Sequence, residues 1–381
     1  MSKYNFDCLP NRKNTNSCKY DEFNSSLPMW VADMDFPVAP KIKEAIQKDL
    51  DLGIIGYTLV PESYFEAFSS FYHLRYNTDF DKEELIYVSG VVASIDSMLK
   101  IFCTKDDNVL MLSPIYHTFY HCIDNYCHYI TSKMIEDDGQ YHIDFADLEN
   151  KLKLPHTKIL LLCNPHNPVG KIFTKEELEK IDELASKYDV MVISDEIHGL
   201  ITNPGKKYLP YSNVAKGKYV TCLATSKAFN LAGLQSAVVL CKDKELRQLI
   251  QKQFYKDDIG EPNYFACNAN IAALKESEDW LDEMNRYVYQ NKIDFKKYVD
   301  GHISHVKVIL TDATYMVWVD VRYYVNDSKD FCKKLNKETG LLVSPGAQFG
   351  DGGEGFFRIN LATSHDNCLS AARRLESFLN R

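Results

Sequence analysis

The most constraining stretch of this 381-residue sequence is an apolar run that ends in a carboxylate, VMVISDEIH at positions 190–198. An unbroken run of apolar residues, rich in β-branched ones, is typical of a strand buried on both faces of a parallel sheet. In open α/β sheets, ligands bind beyond the carboxyl ends of the strands. Asp195, at the end of this run, is therefore expected to face a site and not a hydrophobic core.

A second run of this kind, Tyr219–Leu223, leads into ATSKAFN and places Ser226 and Lys227 at the same sheet edge. A carboxylate and a lysine on neighbouring strand ends have two interpretations. They form a structural ion pair, or the lysine binds an aldehyde cofactor covalently while the carboxylate pairs with the ring nitrogen of that cofactor. The second interpretation requires a phosphate cradle, a ring partner and a carboxylate clamp elsewhere in the chain.

The composition, 45% hydrophobic and 25% charged, is that of a globular protein. Its length allows a large and a smaller domain, or two domains of similar size. The formal charge of −9, without clustered Lys and Arg, argues against nucleic acid as a partner. The amino terminus lacks the apolar core of a signal peptide, and no run approaches the roughly 18 apolar residues of a membrane span. We therefore predict a cytoplasmic protein without a membrane partner.

The eleven cysteines include no CxxC pair, which favours reduced thiols over a disulfide framework. The densest group of possible metal ligands is His117, His121, Cys122, Cys127 and His128. A zinc site is one interpretation of this group, but the spacing matches no finger or ribbon pattern. Packing among the neighbouring aromatic residues explains the group more simply, and we predict no metal.

The strand Leu85–Val88 is followed by SGVV and by a helix that begins near Ala93. A strand, a glycine turn and a helix start present free backbone N–H groups and the positive end of the helix dipole, which favour a phosphate. Many such turns bind nothing, so the signal is weak alone.

Two further strands lead to residues that could contact the ring of a cofactor. Val109–Leu112 leads to Tyr116, whose ring could stack on a cofactor, although the chain has 24 tyrosines. Ile159–Cys163 leads into NPHNPVG, where two prolines restrain Asn167 so that its amide could donate to a ring oxygen.

Arg358 interrupts an apolar strand, Phe356–Leu361. A buried guanidinium without an anion is costly, so this residue needs a negatively charged partner. The partner is either a structural Asp or Glu or the carboxylate of a substrate bound bidentately.

The remaining pattern predicts an extended arm up to Pro40, because prolines interrupt any helix there. The arm contains MWVADMDF at 29–36, which is expected to pack on a neighbouring subunit, at the mouth of the site or in a satellite core cluster. Helices are predicted over 41–52, 62–76, 174–188, 243–256, 268–299 (spanning two domains) and 329–339, and strands over 236–241, 306–310 and 315–321.

The ordered set SGVV, SPIY, NPHNPVG, SDEIH, TSKAFN and FRIN resembles the fold-type I pyridoxal phosphate enzymes, the aspartate aminotransferase superfamily, over nearly the whole chain. The resemblance implies an α/β fold in which a large domain carries a mainly parallel seven-stranded sheet and a smaller domain is α+β. The expected bounds are an arm at 1–40 that belongs to the small domain, a large cofactor-binding domain at 41–285 and a small domain at 286–381.

The resemblance also implies residue roles around pyridoxal 5'-phosphate. Lys227 would bind the aldehyde covalently, Arg358 with Asn167 would bind the substrate, and the other cofactor contacts would be Gly90, Val91, Val92, Tyr116, Asn167, Asp195, His198, Thr225 and Ser226. Tyr57, in GYT, is similar to the tyrosine that reaches the phosphate of the other subunit, which implies a homodimer with shared sites. Lys227, Tyr116 and Tyr57 are the expected catalytic residues.

Departures from the aspartate aminotransferase pattern narrow the branch. The chain has Ala224, His198 and Gln235 where those enzymes carry Ser, Tyr and Arg, and together with PMWVADMDF and SKAFNLAGLQ these residues resemble the MalY/PatB subgroup of carbon–sulfur lyases. The implied reaction is an α,β-elimination from cystathionine or cysteine that yields a thiol (homocysteine or sulfide), pyruvate and ammonia. The alternatives are an aminotransferase on the same scaffold and a cofactor-binding regulator that acts through protein contact.

Overall fold

A computed structural model describes residues 3–380 of the chain. Its α-helices are α1 (Cys18–Asp21), α2 (Pro40–Asp51), α3 (Glu62–Tyr76), α4 (Val91–Phe102), α5 (Thr118–Asp124), α6 (Phe145–Leu152), α7 (Lys175–Lys187), α8 (Lys244–Lys256), α9 (Ala266–Glu276), α10 (Glu278–His302), α11 (Ser328–Thr339) and α12 (His365–Leu379). Its strands are β1 (Leu27–Pro28), β2 (Leu85–Val88), β3 (Asn108–Ser113), β4 (His128–Lys133), β5 (Ile135–Asp137), β6 (Gln140–His142), β7 (Thr157–Cys163), β8 (Met191–Asp195), β9 (Tyr219–Leu223), β10 (Ala237–Leu240), β11 (Lys307–Ile309), β12 (Met316–Asp320), β13 (Leu341–Leu342), β14 (Ser344–Pro345) and β15 (Phe356–Asn360).

The largest sheet has seven strands in the order β2-β10-β9-β8-β7-β3-β4. The pairs from β9 to β4 are parallel, whereas β10 runs antiparallel to both of its neighbours. The predicted α/β class with a mainly parallel seven-stranded sheet is confirmed.

The central strands are mostly apolar because helices cover both faces of this sheet. Successive residues of β8 contribute to different core clusters: Val192 packs with Leu178 and Ile181 of α7, whereas Ile193 packs with Ile95 of α4 on the opposite face. Because the sheet is buried on both sides, polar residues are accommodated best at the strand ends, where the candidate site lies.

A second sheet, in the order β11-β12-β15-β14, is antiparallel. Helix α10 packs on it through Phe295 and Val299, which share a core cluster with Val317 and Ile359. Strand β1 of the amino-terminal arm pairs in parallel with β13, so this part of the arm is attached to the carboxyl-terminal unit. The domain bounds 1–40, 41–285 and 286–381 stay a prediction.

The single long helix expected over 268–299 is wrong, because the chain forms two helices that meet at Ser277. Ser277 leaves the helical conformation (φ −128°, ψ 19°), and its buried hydroxyl donates a 3.0 Å hydrogen bond to the carbonyl of Ala272. Such a side-chain bond to the preceding turn competes with the backbone ladder and ends α9 without a Gly or Pro.

The group His117, His121, Cys122, Cys127 and His128 does not form a metal site: residues 3–380 contain no cluster of three or more His, Cys, Asp or Glu side chains arranged for a metal ion. Cys122 and Cys127 are buried in an apolar core cluster, and the ring of His117 packs edge-on against Phe349. Within the described residues, no helix has the length and apolar character needed to cross a bilayer.

Candidate active site

A cavity of about 320 Å³ opens at the carboxyl edge of the seven-stranded sheet. The strand ends of β2, β7, β8 and β9 and the start of α4 meet around it, as the strand-end reasoning predicts. Its lining includes nine of the predicted site residues, namely Gly90, Val91, Val92, Tyr116, Asn167, Asp195, His198, Ser226 and Lys227.

Asp195 is the last residue of β8 and is buried at the base of the cavity. One carboxylate oxygen accepts a 3.0 Å hydrogen bond from the backbone N–H of Ile197. Burial raises the pKa of Asp195 to about 6, an effect that this hydrogen bond and the charge of Lys227 oppose only in part. A carboxylate held in this way gains strongly from a protonated ring nitrogen placed beside it.

Lys227 lies on the loop after β9, and its Nζ donates a 2.9 Å hydrogen bond to the backbone carbonyl of Ala32. The ion pairs found among residues 3–380 do not include one between Lys227 and Asp195, so the interpretation of these two residues as a structural ion pair is wrong. Desolvation lowers the pKa of Lys227, while the negative charge of Asp33 acts in the opposite direction. The depressed pKa favours the neutral, nucleophilic form of the amine.

The turn between β2 and α4 forms one end of the cavity. Gly90 is the N-cap of α4, and the backbone N–H groups of the first helical turn have no partner within the helix. Ser226 lines the cavity as well. Backbone donors and a helix dipole at one end of the cavity make this end suitable for a phosphate.

Thr225 is placed differently from the other predicted phosphate contacts. Its side chain is buried, and its hydroxyl donates to the amide oxygen of Asn270 in α9. It does not belong to the residues that line the cavity. The structure therefore brings Ser226, but not the hydroxyl of Thr225, to the site.

Tyr116, Asn167 and His198 surround the middle of the cavity. The amide oxygen of Asn167 accepts a 3.0 Å hydrogen bond from Arg358, so its amide nitrogen is the group that can donate to a ligand. His198 is buried, and its Nδ1 has no hydrogen-bond partner among the described residues. Desolvation, together with the charges of Lys227 and Arg358, lowers the pKa of His198 to about 3, so its imidazole is neutral.

Arg358 lies in β15, and its guanidinium is buried over the ring of Phe349. It donates to the amide oxygen of Asn167 at 3.0 Å and to the backbone carbonyl of Trp30 at 3.1 Å, while its buried Nε has no partner in the described residues. No ion pair within residues 3–380 includes Arg358, so of the two alternatives the structural Asp or Glu partner is wrong. Desolvation lowers its pKa to about 10, and an anion would recover this cost.

Tyr57 does not reach this cavity in the single chain. Its side chain is fully exposed on the connection between α2 and α3. The same connection exposes Ile54, Ile55 and Leu59. No other part of residues 3–380 covers these apolar side chains.

Several residues at the site do not follow from the sequence pattern. The backbone carbonyls of Trp30 and Ala32 accept hydrogen bonds from Arg358 and Lys227, and Gln235 and Ser236 line the cavity. The sequence signal for Trp30 and Ala32 is the unusual apolar character of residues 29–36. Of the expected placements, the one at the site is met, because Ala32 lines the cavity. The placement in a satellite cluster is wrong, because Met34 and Phe36 belong to a large core cluster.

The donor set fits pyridoxal phosphate. A helix N-terminus suits its phosphate, the buried carboxylate of Asp195 suits its ring nitrogen, and the desolvated amine of Lys227 suits its aldehyde. The unpaired Nε of Arg358 is a free donor suited to a carboxylate of the reacting molecule. The fold and this site define an enzyme of the fold-type I class that depends on pyridoxal phosphate.

The chain belongs to the aminotransferase class I and II family, whose model matches residues 28–375. It is 34% identical to cystathionine beta-lyase PatB of Bacillus subtilis over 98% of this chain and all of that protein. The PLP-bound C-S lyase from Staphylococcus hominis superposes with a TM-score of 0.94 at 31% identity, covering 99% of this chain and 98% of that one. Cystalysin from Treponema denticola, with pyridoxal 5'-phosphate, gives a TM-score of 0.94 at 32% identity and 99% coverage of both chains.

Proposed function

We propose that this protein is a carbon–sulfur β-lyase that cleaves L-cystathionine, L-cysteine or both by α,β-elimination, yielding homocysteine or sulfide with pyruvate and ammonia. The observation that carries the proposal is the full-length similarity to proteins described as cystathionine beta-lyase and C-S lyase. The geometry supports it, because the base Lys227 and the ring-nitrogen partner Asp195 line one cavity. The carboxylate clamp Arg358 is outside the lining but donates a hydrogen bond to Asn167, which lines the cavity.

Pyridoxal phosphate, when bound, supplies an aldehyde for the amino group of the substrate and a ring that accepts the electron pair released at Cα. Lys227 would hold the cofactor covalently, and its amine, once free, would remove the proton from Cα as the general base. Asp195 keeps the ring nitrogen protonated, since its buried carboxylate is stabilised by the positive charge beside it.

Arg358 orients the substrate. Its unpaired Nε and the amide of Asn167 lie together, so a carboxylate bound there would replace a missing partner and not compete with an existing ion pair. The neutral His198 and Gln235 add no positive charge to the cavity. The described residues of the site offer no second guanidinium for a further carboxylate, so the distal carboxylate of cystathionine would be held by other groups.

The other cofactor contacts are proposed from the same placement. The backbone of Gly90, Val91 and Val92 and the hydroxyl of Ser226 would hold the phosphate, and Tyr116 would stack on the ring. Thr225 would not contact the phosphate itself. Its hydrogen bond to Asn270 would hold the adjacent Ser226 in position. Tyr57 of the partner subunit would complete the site in a homodimer.

Product analysis tests the proposal. The purified enzyme is given cystathionine without any 2-oxo acid, and pyruvate and free thiol are measured. We expect both products in equal amounts from the native enzyme and none from Lys227→Ala, which should also lose the absorbance of the covalently bound cofactor. Turnover that depends strictly on an added 2-oxo acid would instead identify an aminotransferase.

A further inference from the structure

Residues 29–36, called the strap here, place two backbone carbonyls against the candidate active-site side chains. The carbonyl of Trp30 accepts a 3.1 Å hydrogen bond from Arg358, and that of Ala32 accepts a 2.9 Å hydrogen bond from the amine of Lys227. A backbone carbonyl cannot move without its chain. Whatever fixes the strap therefore fixes the positions of both side chains.

A buried ion-pair network holds one side of the strap. Lys19 has no exposed surface, and its amine donates to a carboxylate oxygen of Asp35 at 2.8 Å and to the carbonyl of Asp33 at 3.0 Å. Arg12 pairs with Asp33 at 2.6 Å and with Asp35 at 3.3 Å. Both acidic residues of the strap are thus tied to cations that lie outside it.

Two amides hold the opposite side. Asn360, two residues after Arg358, donates two hydrogen bonds of 2.8 Å to carbonyls of the strap. Asn230, three residues after Lys227, donates to two further strap carbonyls at 3.1 and 2.9 Å. The strap is consequently bonded to both of the segments that carry the candidate site residues.

The energetics of the pair point away from a purely structural role. Moving two charges out of water costs about as much as their attraction returns, and apolar residues of similar volume often stabilise a fold equally well. The fully buried Lys19–Asp35 pair is therefore a weak source of stability. Unlike apolar contacts, however, its hydrogen bonds fix the position and orientation of the strap.

We propose that Lys19 and Asp35 are positioning residues, whose buried ion pair fixes the strap so that its carbonyls hold Arg358 and the amine of Lys227 in place. This inference rests on the proposed roles of Lys227 and Arg358. It does not depend on which sulfur amino acid is the substrate.

The strap also sets the charge state of Lys227. The charged groups that face its amine are Asp33 of the strap and Asp195 of β8, which favour the ammonium form, and Arg358 of β15, which disfavours it; the nearby imidazole of His198 is neutral. A displaced strap removes a carbonyl acceptor and a negative charge from the amine. The pKa of Lys227 then falls below its value in the native protein.

The experiment follows covalent capture of pyridoxal phosphate by the full-length chain after removal of its cofactor. Capture requires the neutral amine, which condenses with the aldehyde as water leaves, so the rate rises with pH around the pKa of Lys227. We expect Lys19→Met to move the midpoint to lower pH by about half a unit or more. In the reloaded enzyme, we expect KM for the amino acid to rise by roughly tenfold, because Arg358 is misplaced.

Asp35→Asn is the second variant and should shift the midpoint in the same direction, since it retains the shape of the side chain but loses the charge. Lys296→Met is the matched control, because it removes a lysine from a solvent-exposed pair with Asp300; it should change neither readout. Thermal unfolding is measured for every variant.

An unmoved capture midpoint in both Lys19→Met and Asp35→Asn would overturn the inference, whatever their thermal stability, because the pair would then be merely structural. Loss of the fold in both variants would overturn it too, as the pair would be a folding determinant. Covalent capture by Lys227→Ala would instead refute the proposed role of Lys227, so the two failures are distinguishable.

Discussion

At the scale of single residues, Asp195 shows a conflict between function and stability. Its pKa in the fold, about 6, lies above the value of roughly 4 for an unfolded chain. The native state of the cofactor-free protein therefore binds more protons than the unfolded state between these values, and stability falls as pH rises through them. Above about pH 6 the ionised carboxylate destabilises the cofactor-free fold.

We predict that Asp195→Asn raises the free energy of unfolding of the cofactor-free protein by about 2 to 3 kcal/mol at about pH 8, and that this gain vanishes toward pH 4. The amide can still accept the hydrogen bond from Ile197, so little else changes. Denaturant unfolding at the two pH values measures the difference. In the loaded enzyme the same substitution should lower turnover by roughly 100-fold or more, because the ring nitrogen loses its counter-charge. A variant that is less stable than the native protein at the higher pH would contradict this account.

Arg358 allows a prediction about substrate binding. Removing it with Arg358→Ala should raise KM by an amount equivalent to about 2 to 5 kcal/mol if the carboxylate is desolvated on binding. Arg358→Lys restores the charge but not the planar fork, so it should recover only part of that loss. Steady-state kinetics with the same amino acid check the order of the three proteins. An unchanged KM in Arg358→Ala would show that Arg358 does not bind the substrate. The control is Arg322→Ala, which removes an exposed arginine that is paired with Asp320.

The difference between Lys227 and Ala32 shows how far single residues can be predicted from sequence. Asp195 is the last residue of one buried strand and Lys227 lies on the loop after the next, and side chains of these types near strand ends have few uses. The partner of Lys227 is a backbone carbonyl, which every residue carries, so no letter of the sequence marks Ala32 for this role. The same holds for the carbonyl of Trp30 beside Arg358.

At the scale of elements, burial decides what the sequence reveals. Strand β7 is predictable because Ile159–Cys163 is apolar without a break and buried on both faces. Strand β4 (HYITSK) lies at the edge of the same sheet with one buried side chain among six, so it has no apolar run to indicate it. Helix α6 is preceded by Asp144, whose carboxylate caps two backbone N–H groups; this signal was present in the sequence but is too common to predict a short helix alone.

The loop from Asn164 to Gly170 offers a prediction at this scale. The carbonyl of Gly170 accepts hydrogen bonds of 3.0 Å from the N–H groups of Asp312 and Ala313, and its φ is +63°. A Cβ at this position would overlap the side chain of Thr311. We predict that Gly170→Ala lowers stability by about 1 to 3 kcal/mol and reduces kcat/KM, because the loop that carries Asn167 must shift.

Gly205→Ala is the matched control for this prediction. Gly205 also has a positive φ, +79°, but a Cβ there would meet no atom within 4 Å. The control therefore reports the cost of the backbone conformation alone. Equal losses in the two variants, measured by unfolding and by kinetics, would show that contact with Thr311 does not position the loop.

At the scale of the whole molecule, the connection between α2 and α3 is the feature that a single chain does not explain. It exposes several large apolar side chains, and Tyr57 is among them. Exposed apolar clusters of this kind mark interaction surfaces in soluble proteins. The arrangement supports the proposed homodimer, in which this connection would cover the cavity of the other subunit.

Mixed dimers test this arrangement. The variants Lys227→Ala and Tyr57→Phe each lose one residue proposed to act at the active site. The homodimer of each variant should therefore be nearly inactive. If Tyr57 acts across the interface, a mixed dimer contains one site with both substitutions and one site with neither. In an equal mixture about half of the dimers are mixed, so about a quarter of the native activity is expected. If Tyr57 acts within its own chain, every site retains one defect and mixing restores nothing. The two variants are unfolded and refolded together, so that their subunits exchange, and each variant is also refolded alone as a control. Activity that appears only in the mixture shows that Tyr57 acts across the interface.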